Sequence, residues 1–252
     1  MNDVIFYLAA IAAVICTGLS KAGLAGFGIV ATPLLATVVS PLQAVAILLP
    51  IMLLQDIVAV WAYRRDWDKR NLIVLVPSSA VGIGVAWAFA SYLSDVYVRL
   101  VVGIVTLAFA FHQWRRGTKR QTARMDQPRA VTGVFWGIIA GVSGTLANAA
   151  GPPFQIYVLP QRLDKLTFAG TAALYFAMLN AMKIAPIFAL GKFSLENVIL
   201  SSALLPISIA TVYLGVLIVR FLSVDAFYKI AYSLLFAVAL ELIGVAVWQL
   251  VA

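Results

Sequence analysis

GLSKAGLAGFG, from Gly18 to Gly28, and GVSGTLANAAGPPFQ, from Gly141 to Gln155, set glycine and polar residues inside segments that are otherwise apolar. A hydrocarbon core holds no water, so backbone there stays helical unless protein or a wet cavity satisfies the freed N–H and C=O groups. Two such interruptions at equivalent places in two halves of one chain form the pattern of a transporter whose discontinuous helices hold a solute.

The rest of the composition places the chain in a bilayer. Of its 252 residues 63% are hydrophobic and 11% charged, which no water-facing surface tolerates. The apolar runs have the length of membrane helices, about 20 residues, and lack the short alternating pattern of a barrel. The net charge of +8 sits in short loops, where it orients spans, so nucleic acid is not the expected partner. Cys16 is the sole cysteine and His112 the sole histidine; no disulfide and no zinc site is expected, and no cofactor. The start, MNDVIFYLAAIAAV, has no basic region before its apolar run, which argues against a cleaved signal peptide. Phosphate loops, dinucleotide fingerprints, HExxH and GxSxG are missing. Ser20 beside Lys21 is the only hint of a Ser–Lys pair, and helix neighbours point about 100° apart, so an enzyme is not expected.

Full-length spans are expected at Pro41 to Tyr63, Asn71 to Tyr92, Val96 to Trp114, Leu166 to Leu190, Glu196 to Val219 and Ala226 to Leu250. Two longer regions, Val4 to Val39 and Val131 to Pro160, are broken in the middle. The basic stretch RRGTKRQTARMDQPRA separates two halves, giving a first membrane repeat 1–114, a cytoplasmic linker 115–130 and a second repeat 131–252. The halves align with a drifting offset: Gly18 and Ser20 with Gly141 and Ser143, Asp56 with Asn180, Trp67 and Asp68 with Phe193 and Ser194, Val76 and Pro77 with Leu205 and Pro206, Asp95 with Asp225. If each broken region is a re-entrant hairpin, Arg64, Arg65, Lys69, Arg70, the linker cations, Arg162, Lys165, Arg220 and Lys229 share one side, against Arg99 and Lys192. A single crossing per broken region separates the charges less well, so the positive-inside rule favours the hairpin. The expected fold is an all-α polytopic membrane protein of two inverted repeats, each a broken, re-entrant helical hairpin plus three transmembrane helices. The linker is then cytoplasmic and both termini periplasmic.

Glycines at 18, 23, 26 and 28 let backbone unwind around Ser20 and Lys21, and a half-helix starting after the break would aim its positive end at the same place. Lys21 is a substrate cation, or it snorkels to an interface or neutralises Asp56. The second break offers Ser143, Gly144, Thr145, Asn148, Gly151, Pro152, Pro153 and Gln155. The adjacent prolines should hold an extended backbone and free its polar groups, unless the break is a purely structural kink. Asp56 is a proton carrier or a partner for Lys21 or Lys183, and Glu241 is a proton site or an interfacial residue. His112 reads as interfacial.

The stretch G-x-S-K-x-G-x-x-G-x-G followed by Pro33, the Asp56 region with the basic loop and Trp67, the second-half GVSGT and GPP, then Phe168 to Thr171, Asn180 and Lys183, resemble the TauE/SafE sulfite exporter family from about Cys16 to Val247. That resemblance implies a bacterial inner-membrane permease exporting sulfite, sulfoacetate or related organosulfonates, driven by the proton gradient. The family's motif positions fall on Gly18, Ser20, Lys21, Gly23, Gly26, Gly28 and Pro33, and on Gly141, Ser143, Gly144, Gly151, Pro152, Pro153, Asn180 and Lys183. Leu24 stands where an aromatic is expected, and Pro160 and Gln161 replace a more usual loop. Gly18, Ser20, Lys21, Gly23, Gly26, Gly28, Ser143, Gly144, Thr145, Asn148, Gly151, Pro152, Gln155, Asn180 and Lys183 are the expected substrate-binding residues, and Asp56 and Glu241 the proton-coupling ones. The competing expectation is a cation- or proton-coupled carrier in which Asp56 and Glu241 bind the solute. The expected partners are a small anion and the lipid bilayer, and a homodimer is compatible with both readings.

Overall fold

The computed structural model describes residues 3–24, 27–28, 31, 34–35, 38–39, 41–89, 95–116, 130–146, 149–189 and 195–251. Among them every regular element is helical: α1 (Asp3–Lys21), α2 (Pro41–Ala62), α3 (Lys69–Ala88), α4 (Asp95–Arg116), α5 (Ala130–Leu146), α6 (Gly151–Val158), α7 (Lys165–Ala189), α8 (Leu195–Phe221) and α9 (Val224–Val251). A short 3-10 turn, Leu159–Gln161, joins α6 towards α7. Val4–Lys21, Lys69–Ala88, Leu204–Phe221 and Val224–Val251 are long and apolar enough to cross a membrane. Mid-helix side chains such as Ile57 and Ile73 are 66% and 60% exposed, an apolar exterior that suits lipid and not water. The chain is an integral membrane protein of helical architecture.

Local chemistry sets the helix ends and keeps the prolines tolerable. The Asp68 carboxylate accepts from the Asn71 amide at 2.7 Å, a side-chain cap at the end of α3 where a negative charge is favoured. Pro77 and Pro206 lie inside α3 and α8 and cannot donate to the turn before them. Hydroxyls that follow each one bond carbonyls of their own helix. Ser78 donates to the Val74 and Leu75 carbonyls at 2.7 and 3.0 Å. Ser208 donates to Leu205 at 2.8 Å, and Thr211 to Ile207 and Ser208 at 2.9 Å each.

The chain forms two compact units, residues 1–67 with 169–222 and residues 68–168 with 223–252. Each draws helices from both sequence halves. In the first unit α1, α2 and α8 pack together around a buried cluster that includes Ala10, Val14, Ala31, Leu35, Ile47, Ile51 and Leu204. In the second unit α5 packs on α3, α4 on α9, and α6 on α4, α5 and α9. The opening helix of each half thus lies against the third long helix of the other half, α1 on α8 and α5 on α3. The correspondence extends to single residues. Gly18 faces Thr211, and Gly141 faces Gly82, positions that the alignment of Pro77 with Pro206 makes equivalent.

The second broken region folds back on itself. Tyr157, near the end of α6, lies against Gly133, near the start of α5, so the chain returns along the helix it has just left. Pro152 and Pro153 lie in the first turn of α6. The extended backbone expected there is therefore not found, because a helix tolerates proline where its amides have no partner in any case.

Lipid tails offer no hydrophobic drive between helices, so close contact of small residues holds α3 to α5. A Cβ at Gly82 would overlap the Ile138 carbonyl oxygen and sit 3.0 Å from Gly141 Cα, whereas one at Gly84 would meet nothing. Gly82→Ala and Gly141→Ala are therefore expected to lower the melting temperature of the purified protein clearly. Gly84→Ala should leave it unchanged or raise it slightly, since alanine is the better helix former by about 1 kcal/mol. Thermal unfolding of the three variants in one detergent checks the difference.

Candidate functional site

The first break is built as a helix C-terminus. The Leu24 amide donates to the Leu19 carbonyl at 3.2 Å and the Gly23 amide to Ser20 at 3.2 Å. With Gly23 at φ +112, this is a Schellman cap, whose left-handed position glycine fills without strain. The Tyr63 hydroxyl donates to the Ala22 carbonyl at 2.6 Å. Beyond the cap Gly28 returns against the Ser20 side chain. The end of α1 thus presents carbonyls and the negative end of the helix dipole to its surroundings. The half-helix expected after the break falls largely outside the described residues, as does Gly26.

Lys21, the last residue of α1, points into this negative environment. Its side chain is 6% exposed, and its Nζ lies 2.6 Å from Oδ1 of Asp56 on α2, itself 4% exposed. Asn180 on α7 donates from Nδ2 to the other oxygen of Asp56 at 2.7 Å, and Lys21 also sits 6.0 Å over the Phe176 ring. Asp56 and Asn180 are the equivalent positions of the two halves, so the halves meet at one carboxylate. Asp56 in this arrangement is neutralised by the lysine, which removes most of its pull on a free cation. Gln55 lies beside it with Nε2 on the Val14 carbonyl at 3.2 Å and no partner for Oε1. Gly18 completes the packing: a Cβ there would overlap Thr211 and sit 3.3 Å from Gln55 Nε2.

The second break lies in the other unit. Ser143 holds it closed in the manner of a staple, donating from Oγ to the Ala149 carbonyl at 2.9 Å and accepting the Ala149 amide on its own carbonyl at 3.0 Å. Thr145 donates to the Gly141 carbonyl at 2.8 Å. Both hydroxyl protons are engaged with backbone and shape the break. At the start of α6 Pro152 and Pro153 have no N–H, and the Phe154 amide bonds Ala150 at 3.3 Å. Ala150, at the cap position before Gly151, makes no side-chain bond to the first turn. Gln155, 2% exposed, adds an Nε2 with no acceptor. The donor without an acceptor at this break is thus the Gln155 carboxamide, not a cradle of many N–H groups.

Glu241 stands apart on α9, half-buried, with Oε2 lacking a hydrogen-bond partner and Arg99 as a charge acting on it; both belong to the second unit. Asn148 and the Lys183 side chain lie outside the described residues. Four contributors were not singled out as site residues from the sequence: Tyr63, Gln55, Phe176 and Thr211. Gln55 carried a signal, a carboxamide next to a carboxylate inside an apolar span. The other three look like ordinary span residues until the helices are packed.

A family model described as Sulfite exporter TauE/SafE matches residues 10–242, nearly the whole chain. No curated protein and no solved structure matches it. Among the described residues no group of three or more His, Cys, Asp and Glu side chains converges on a metal position.

Removing one partner from a buried ion pair leaves the other charge unpaired and costs about 3–5 kcal/mol. Lys21→Met and Asp56→Leu are each expected to destabilise by about that amount. The double variant, with no charge left to bury, should recover most of the loss. A double-mutant cycle on unfolding checks this, and strictly additive losses would contradict the pairing.

Proposed function

We propose, because the chain belongs to the sulfite exporter TauE/SafE family, that it is a secondary transporter exporting small anions such as sulfite, sulfoacetate or other organosulfonates across a bacterial inner membrane. The transport is by alternating access and coupled to the proton gradient. The observation that carries this reading is Lys21, a cation 6% exposed at the capped end of a broken helix and held by a single carboxylate. A sulfonate oxygen and a carboxylate oxygen make similar charge-assisted bonds to an ammonium group. Lys21 therefore exchanges Asp56 for a substrate anion without ever being buried unpaired.

The exchange has a consequence for protons. Asp56, once released by Lys21, keeps only the Asn180 carboxamide, and a proton is the counter-charge proposed to replace the lysine. Anion binding at Lys21 and proton binding at Asp56 are thereby linked. The reciprocal packing of α1 on α8 and α5 on α3 supports two related repeats; the proposal takes them as inverted, with residues 115–130 cytoplasmic and both termini outside on the distribution of basic residues. Reading Asp56 as a cation-binding group is less well supported, since its charge is already matched by Lys21.

Reconstitution tests both steps. Proteoliposomes holding the protein are expected to move sulfite or sulfoacetate, and Lys21→Gln to reduce the rate at least about tenfold, as loss of a charge-assisted contact does. Asp56→Asn, which keeps the shape and removes the titratable proton, is expected to make the remaining transport insensitive to an imposed pH step. Sulfonate transport that is undiminished in Lys21→Gln would refute the site.

A further inference from the structure

Arg162, in the second unit, combines features that a purely structural residue at its position would not need. It follows the 3-10 turn Leu159–Gln161 and precedes α7, and its amide closes that turn on the Leu159 carbonyl at 3.2 Å. Its φ of 51 makes it the only non-glycine with left-handed backbone among the described residues. Glycine adopts that conformation freely, while a side chain makes it costly. Its guanidinium lies 4.6 Å over the Tyr228 ring, and Tyr228 is itself fixed by donating to the Leu163 carbonyl at 2.6 Å. The neighbouring amides are locked too, because Asn71 and Gln161 bond each other in both directions at 2.9 Å. Within this rigid frame Nη2 of Arg162 is closed off from water and has no acceptor. No carboxylate of the described residues lies within ion-pair reach of it; Asp164, two residues on, accepts the Leu166 amide at 2.9 Å instead.

A strained backbone, an unmatched charge and an unpartnered buried N–H coincide on one side chain. A glycine would satisfy the turn and avoid all three, so the guanidinium is the part of Arg162 that is put to use. Its planar fork is suited to two oxygens of a phosphate. Lys165 opens α7 three residues further on and Lys229 follows Tyr228 on α9, so both elements that frame the turn also carry a cation. Basic positions on the side where loop cations gather are where anionic lipid headgroups are met.

We propose that Arg162, set on the Tyr228 ring, is a binding site for a phosphate oxyanion, presented by an anionic phospholipid headgroup or as a free ion, and separate from the transport site around Lys21. Arg162 as a whole is half-buried, and a phosphate oxygen reaches Nη2, closed off from water as it stands, when the guanidinium turns outward on its stem.

The test uses the purified full chain, stripped of lipid in an uncharged detergent. Its melting temperature is followed with phosphatidylglycerol, with phosphatidylcholine at equal amount, and with inorganic phosphate, for the wild type, Arg162→Gln and Arg162→Gly. The wild type is expected to gain about 5 °C or more at saturation with phosphatidylglycerol and not with phosphatidylcholine. A gain with inorganic phosphate as well identifies a site open to the free ion. Both variants should lose the gain, and Arg162→Gly without ligand should melt no lower than the wild type, because it relieves the turn. A wild type that responds to neither phosphate source, or variants that respond as the wild type does, would overturn the proposal. Should both neutral variants fail to fold, Arg162→Lys decides: a half-saturating concentration at least threefold higher supports the fork, and an unchanged one refutes it.

Discussion

A primary ammonium group cannot remain in an apolar interior without an opposite charge, and that constraint organises the first unit. Lys21 reaches Asp56 at 2.6 Å, and Asn180 holds the second oxygen of the same carboxylate. Three helices, α1, α2 and α7, are thereby tied at one point, and they come from both halves of the chain. The dipole of α1 reinforces the arrangement, since its C-terminal end favours a cation. Around this point the small residues follow: Gly18 admits Thr211 and Gln55, and Gly23 lets α1 end where the lysine must turn inward.

The two breaks perform unlike chemistry despite their similar sequences. The first is a helix end whose free groups are carbonyls, closed by a Schellman cap and the Tyr63 hydroxyl. The second is a helix start, but two prolines delete the amides that would make it an anion cradle. Positive charge at the first break therefore resides on a side chain, the Lys21 ammonium, and not on a helix dipole.

Interhelical contact without a hydrophobic drive depends on glycine and on hydroxyl groups. Gly82 and Gly141 bring backbones of α3 and α5 together, and Ser79 adds a bond to the Gly137 carbonyl at 2.9 Å. Serines and threonines beyond Pro77 and Pro206 turn their hydroxyls onto carbonyls of their own helices. Each half's opening helix rests on the other half's third long helix, α1 on α8 and α5 on α3.

Much of this was legible in the amino-acid order. Spans stood out because lipid demands long apolar runs, and the helix boundaries found at α2, α3, α4, α7, α8 and α9 lie within a few residues of those expected. The breaks stood out because glycine, proline and polar side chains are costly in that medium, and family membership followed from their combination. Packing decided the rest. Lys21 was equally compatible with snorkelling, with substrate and with Asp56, because residues 35 positions apart meet only through the folded helices. The engagement of Ser143 and Thr145 with carbonyls, the helical turn at Pro152 and the contribution of Tyr63 were hidden for the same reason. Composition and pattern determine which residues must leave water; only three-dimensional proximity decides which polar groups they find when they do.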